Sequence, residues 1–330
     1  MWKKKRIILP GITMLTVRAM YCGYKDWFTS QNNKTIANMG FKKGNILEPA
    51  CGIGNFIGML PNDLANSKIY GVELDSISGR IARQLYQKSS IAIQGFEKTN
   101  LPISFFDVAI GNVPFGDFKI LDKKYDKNNF LIHDYFFAKT IDKVRPGGVI
   151  AFIISKGTLD KENPNVRKYI AQRADLLGTI RLPNNTFKDN AGTEVTSDII
   201  FLQKRDSITD IEPEWVHLGI DSNGKKMNNY FVENPDMIMG NMEMISSRFG
   251  LEPACVSDGN DLKEKLDVAI NNIHANIIEY EIEDIEEEDL SIEADVNVKN
   301  FSYTIINGQI YYRKIVECIH KNCRKQMKVE

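Results

Sequence analysis

An α/β fold built on a mostly parallel, doubly wound sheet with helices on both faces is what this sequence predicts. Three observations carry that expectation. Seven short apolar runs fall between residues 45 and 205, amphipathic stretches separate them, and a glycine-containing turn follows the first run. Strands joined by helix-sized connections pair in parallel, because the crossover returns the chain to the same end of the sheet.

Strands are expected at 46–49, 69–74, 91–94, 107–111, 149–155, 176–181 and 197–203, and helices at 76–87, 133–144 and 166–174. Arg145-Pro146-Gly147-Gly148 reads as a helix stop and a turn ahead of the fifth strand. Beyond Arg205 the periodicity fades. Residues 270–278 read as a helix, 279–295 as an acidic run, and 301–312 as a hairpin around Asn307-Gly308. The expected organisation is an N-terminal segment 1–39, a compact domain 40–205 and an acidic region 206–330.

The 330 residues, 43% apolar and 26% charged, suffice for one large domain or two modest ones. The five cysteines, Cys22, Cys51, Cys255, Cys318 and Cys323, are scattered and odd in number. That suits a reducing cytoplasm better than a disulfide framework. Lys3 to Arg6 precede an apolar run, but Pro10 and Gly11 break it and it is too short to span a bilayer. The expectation is a cytoplasmic protein without a membrane partner. The net charge of −1 conceals an asymmetry: residues 1–205 carry 30 basic and 18 acidic side chains, residues 206–330 carry 12 and 25. A basic half suits a polyanionic partner such as a nucleic acid. Two solvated surfaces of opposite sign would give the same count.

Three motifs carry chemistry. Glu48-Pro49-Ala50-Cys51-Gly52-Ile53-Gly54-Asn55-Phe56 follows the first strand. Its glycines let backbone approach a ligand, and a helix N-terminus is expected just beyond. The second strand ends in Gly71-Val72-Glu73-Leu74-Asp75, which sets an acid where a ribose diol would be held. Together these point to a nucleoside-containing cofactor, whereas a dinucleotide fingerprint fails because Gly58 stands four positions after Gly54. The third motif, Gly111-Asn112-Val113-Pro114-Phe115-Gly116, ends the fourth strand. Adenine's exocyclic amine is a poor nucleophile, its lone pair being delocalised into the ring. Acceptors on both N–H bonds, the Asn112 side chain and the Val113 carbonyl, would free that lone pair, with Phe115 stacking on the base. Read alone, the segment is equally an Asn-Pro turn closing a strand.

In this order and spacing the three motifs resemble the amino-methylating DNA methyltransferases, specifically the N6-adenine enzymes. The stretch from Gly40 to about Asp206 looks like the methylase part of large methylase–helicase proteins carried by bacterial mobile elements. The resemblance implies a seven-stranded, Rossmann-like, S-adenosylmethionine-dependent methyltransferase fold. It implies that Glu48, Pro49, Ala50, Cys51, Gly52 and Gly54 line the cofactor's methionine part, that Glu73 holds its ribose, and that Leu74 flanks its adenine. Gln94-Gly95-Phe96 matches the segment where relatives place an Asp on the cofactor's adenine amine. With Gly95 there, the acceptor is missing or supplied by Gln94 or Glu97. Phe187, in Pro183-Asn184-Asn185-Thr186-Phe187, matches an aromatic packed on a flipped target base. As catalytic residues the resemblance gives Asn112, Val113, Pro114 and Phe115, with DNA as substrate and a helicase or restriction system as partner.

The sequence departs from the family at Val113, where many relatives have proline, and in the N-terminal motif, where Phe28-Thr29-Ser30 and a short helix 34–39 form a degenerate lid. Cys318-Ile319-His320-Lys321-Asn322-Cys323 lacks the partner pair of a zinc site, so no metal is assigned. His133-Asp134 reads as helix capping and packing. Three other functions stay open: methylation of RNA, methylation of a protein glutamine, and a catalytically inactive fragment of a larger methylase–helicase that binds cofactor or DNA.

Overall fold

The structure, a computed structural model, describes residues 41–60, 64, 66–188, 194–247 and 250–274, and the strand segments 292–293, 303–307, 309–313 and 326–329. The proposed lid motif at 28–30, the helix at 34–39, most of the acidic run and the Cys318–Cys323 cluster lie outside them. The chain divides into two compact units, Met1–Glu279 and Tyr280–Glu330.

The first unit is organised by a seven-stranded sheet. Its strands are β1 (Asn45–Glu48), β2 (Lys68–Glu73), β3 (Ser90–Ile93), β4 (Phe106–Asn112), β5 (Val144–Ser155), β6 (Ala174–Leu182) and β7 (Ser197–Lys204), in the order β3-β2-β1-β4-β5-β7-β6. All pairings are parallel except those of β7, which runs antiparallel between β5 and β6. That order and that single reversed strand make the expected seven-stranded, Rossmann-like methyltransferase fold. The order reverses between β1 and β4, and ligands of open α/β sheets bind beyond the strand ends at such a switch point.

Packing explains why the strands form. Ile46, Leu47, Val108, Ala109, Ile110 and the run Val149–Ile154 are almost fully buried, as strands covered by helices on both faces must be. The connecting helices are α1 (Asn55–Gly58), α2 (Ser76–Leu85), α3 (Ile132–Lys143), α4 (Gly157–Asp160) and α5 (Asn165–Ala171). Asp75 caps α2 by accepting from the Ser78 N–H at 2.8 Å.

Three sequence expectations need correction. The helix after the glycine turn is a single turn, Asn55–Gly58, so little helix dipole is aimed at a ligand there. The turn expected at 145–148 is part of β5, which starts at Val144 and pairs with Phe106 before the register shifts. Gly147 at φ 72° absorbs that irregularity, and the Arg145 guanidinium donates to Asp107 at 2.6 Å across it. The helix expected at 270–278 lies earlier, at Leu262–Asn271 (labelled α7 below), where Asp261 caps its first turn at the Lys263 N–H.

After β7 the chain continues against the same core. Two short strands, β8 (Leu218–Ile220) and β9 (Lys226–Asn228), lead into α6 (Asn229–Glu233) and a hairpin, β10 (Asn241–Ser247) with β11 (Gly250–Val256), before α7. Trp215, Val216, Met227, Phe231, Cys255 and Leu266 from these elements join the buried cluster beneath the sheet. The second unit is a four-stranded sheet of β12 (Ile292–Glu293), β13 (Tyr303–Ile306), β14 (Gln309–Arg313) and β15 (Gln326–Val329). β13 and β14 form the antiparallel hairpin expected around Asn307. No helix among the described residues is long and apolar enough to cross a membrane.

Candidate active site

The tips of β1 and β4, adjacent at the switch point, bring Glu48 and Asn112 together. Ile46 and Leu47 pair with Val108 and Ala109, so both strands end at the same level of the sheet. Gly111 separates them: a Cβ on it would stand 3.6 Å from Glu48 Cγ and 3.7 Å from Pro49 Cδ. At φ 151° its backbone also lies where side chains rarely go.

Each of these two side chains keeps one oxygen unsatisfied. Glu48 Oε2 and Asn112 Oδ1 are buried and accept no hydrogen bond. Burial, reinforced by the Glu73 carboxylate, holds the Glu48 carboxyl well above its ordinary range. Cys51 beside it is buried as well, and burial pushes its thiol up.

The turn after β1 is set by its glycines. Gly52 has φ 56° and Gly54 φ 85°, both in the left-handed region. The Cys51 N–H donates to Val72 O at 2.9 Å, which ties the turn to β2. Glu73, at the tip of β2 and 5% exposed, accepts from the Gly52 N–H and the Asp75 N–H, each at 2.7 Å. Those bonds fix its carboxylate, and each oxygen retains a second acceptor position. Leu74 next to it is 52% exposed and presents an apolar surface at the rim. Gln94 is half-buried past β3, while Phe96 is buried against Phe136, ring centroids 5.0 Å apart, and belongs to the core.

Beyond β4, the Val113 N–H donates to Ile153 O at 3.3 Å, which extends the β4–β5 pairing by one residue into the motif. Val113 is buried, whereas Pro114 and Phe115 are half-buried. The chain that follows is tethered by Asp122, which accepts from Tyr135 Oη at 2.8 Å and from the buried Lys139 Nζ at 3.1 Å. Lys139 also donates to the Glu97 carbonyl at 3.2 Å, so one cation links the segment after β4 to the segment after β3.

Phe187 is not beside Asn112 in the sheet. Its loop leaves β6, three strand spacings from β4, or about 14 Å. The loop is held by Asn184, whose N–H donates to Cys255 O at 2.7 Å and whose carbonyl accepts from Val195 N at 2.9 Å. Sequence reasoning missed what holds this end of the sheet. Arg181, fully buried, pairs with Asp198 at 2.8 Å and Asp160 at 2.9 Å and lies over the Phe231 ring at 4.2 Å. An arginine and an aspartate at matching ends of two successive apolar strands were the available signal. His133 and Asp134 are both buried, with Lys161 closing on Asp134.

The chemistry of this donor set fits S-adenosylmethionine. A turn with glycines and a buried carboxyl without a hydrogen-bond partner suit a ligand carrying an amino acid group. A fixed acid at the next strand tip suits a ribose diol, and an apolar rim suits a purine face. Fold and site together define a methyltransferase dependent on S-adenosylmethionine.

The chain belongs to the N-6 DNA Methylase family, whose model matches residues 26–289. It is 33% identical over 171 residues to Defense against restriction protein B of Escherichia phage P1, covering 50% of this chain and 7% of that protein. It is 27% identical over 172 residues to the type II methyltransferase M.CvrRI of Paramecium bursaria Chlorella virus XZ-6E, covering 50% of this chain and 44% of the relative. A third relative is the rRNA N(6)-adenosine-methyltransferase metl-5 of Caenorhabditis elegans, 24% identical over 180 residues, 51% of this chain and 80% of that one. The chain thus spans less than half the length of the two viral relatives.

Proposed function

We propose that this chain transfers a methyl group from S-adenosylmethionine to the N6 amine of adenine in DNA. The observation that carries the reading is the buried, unsatisfied Asn112 Oδ1 at the tip of β4, followed by Pro114 and Phe115. An acceptor without a partner costs about 1–3 kcal/mol in a folded chain. Such an atom is retained where a ligand donor completes it, and the adenine amine is such a donor.

The roles are assigned as follows. Glu48, Cys51, Gly52 and Gly54, with Pro49 and Ala50, hold the amino acid end of the cofactor, and Glu73 its ribose. The bound cofactor supplies an electrophilic methyl group on a sulfonium centre. Asn112 Oδ1 and the Val113 carbonyl accept from the two amine hydrogens, turning the nitrogen lone pair out of the ring. Phe115 stacks on a base extruded from its helix, and Phe187 packs on its other side. The amine becomes acidic once methylated, so its proton leaves without a dedicated base. Positioning and fixed dipoles supply the acceleration. Residues 40–205 carry this machinery. The region 206–330 contributes substrate recognition or linkage to a further domain, and 1–39 a reduced lid. DNA-directed helicase or restriction functions are the partners that suit such a part.

A second reading, methylation of adenosine in RNA, is favoured by the likeness to the nematode rRNA enzyme. A panel of unmethylated genomic DNA, ribosomal RNA and total protein, incubated with labelled cofactor, separates the readings. The proposal expects label in DNA, recovered as N6-methyladenine after digestion. Label in RNA alone would transfer the assignment to RNA. Label in none, with cofactor bound, would make the chain a non-catalytic binding part.

A further inference from the structure

We infer that Glu97 recognises the exocyclic amine of the cofactor's adenine by seating its carboxylate over Gly95, an inference that rests on the reading of this site as S-adenosylmethionine-binding. The cofactor's long axis is set by two groups already described: its amino acid end at the turn after β1 and its ribose at Glu73 on β2. The base hangs from the far side of the ribose. It therefore falls beyond the tip of β3, the next strand outward, where Glu73 and Ile93 are paired. The residues there are Gln94, Gly95, Phe96 and Glu97.

Gly95 is buried, with φ −65° and ψ 145°, a conformation open to any residue. Backbone shape therefore does not require glycine at this position; space does. A Cβ on Gly95 would lie 2.3 Å from both carboxylate oxygens of Glu97 and 2.5 Å from its Cδ. The volume a side chain at 95 would take is the volume the Glu97 carboxylate fills. That carboxylate accepts no hydrogen bond and faces no ion-pair partner among the described residues. Its backbone is nonetheless fixed, with the carbonyl held by Lys139 Nζ and the turn closed by Lys98 N donating to Gly95 O at 2.9 Å.

A carboxylate offers only acceptors. Adenine's amine offers donors, whereas a 6-oxo purine sets carbonyl lone pairs against the carboxylate. Glu97 would thus select adenine by attraction and reject 6-oxo purines by repulsion.

Calorimetric titration of the full chain with S-adenosylhomocysteine and S-inosylhomocysteine tests this. The inosyl ligand has a carbonyl oxygen in place of the amine and shares every other group. Wild type should bind the adenosyl ligand at least about tenfold more tightly. Glu97→Ala should bring the two affinities within about threefold of each other. Glu97→Gln, which can donate as well as accept, should shrink or invert the preference. Gly95→Ala, whose backbone strain is nil, should shift the carboxylate and reduce the preference while Glu97 is still present. Glu73→Ala should weaken both ligands alike. Wild type binding both ligands equally, or Glu97→Ala weakening both to the same degree, would overturn the inference and leave the methyltransferase reading standing. Wild type binding neither would overturn that reading and the inference together.

Discussion

Glu48 and Asn112 are legible in the sequence because short motifs name them; their unsatisfied oxygens are not, since burial arises only when β1 and β4 pair. The raised Glu48 pKa makes a test of that burial. Folded Glu48 holds its proton above the ordinary carboxylate value of 4.5, while the unfolded chain releases it there. Stability is therefore full below that value and falls as pH rises towards the folded pKa. Glu48→Gln mimics the protonated form and removes the loss. In the absence of cofactor its melting temperature should exceed that of wild type at pH 8 and match it near pH 4. Equal melting temperatures at both pH values would show Glu48 to be solvated. Glu97 was visible only as one of two alternatives to a missing side chain at 95. A sequence does not tell which neighbour folds back into an empty volume; the 2.3 Å approach to the carboxylate does.

At the scale of elements, the Val- and Ile-rich runs announced all seven strands of the sheet, because strands buried on both faces must be apolar throughout. What misled was chemistry that serves two structures. Pro146-Gly147-Gly148 spells a turn, yet with the Arg145–Asp107 pair across it the segment forms an irregular start to β5. The fading pattern after Arg205 reflects short elements whose buried residues, such as Trp215 and Phe231, pack on a core made by earlier strands. Arg181 joins the two parts. It links the end of β6 to Asp198 on β7 and to Asp160, whose carboxylate also receives the Asn228 N–H at 2.9 Å. Arg181→Met would leave two carboxylates facing each other in the interior, a loss of about 3–5 kcal/mol for an interior pair broken from one side. Urea unfolding should report that loss, and proteolysis should cut first between β7 and α7. Unchanged stability would mean the triad is hydrated rather than buried.

At the scale of the whole molecule, a positive half carrying the sheet and a negative half following it suit a protein that presents its strand tips to a polyanion. The viral relatives extend well beyond the region they share with this chain, so target choice and partners belong to a larger context than the sheet alone. The central claim is narrower: a methyl group goes to an adenine amine because Asn112 accepts from it. The most direct measurement compares wild type with Asn112→Ala in labelled-methyl transfer to unmethylated genomic DNA, alongside the cofactor dissociation constant of each. The account predicts N6-methyladenine from wild type and a loss of at least about 100-fold in the variant. It predicts cofactor affinity changed by less than about twofold, since Asn112 is assigned to the base. Full activity in the Asn112→Ala protein would contradict it.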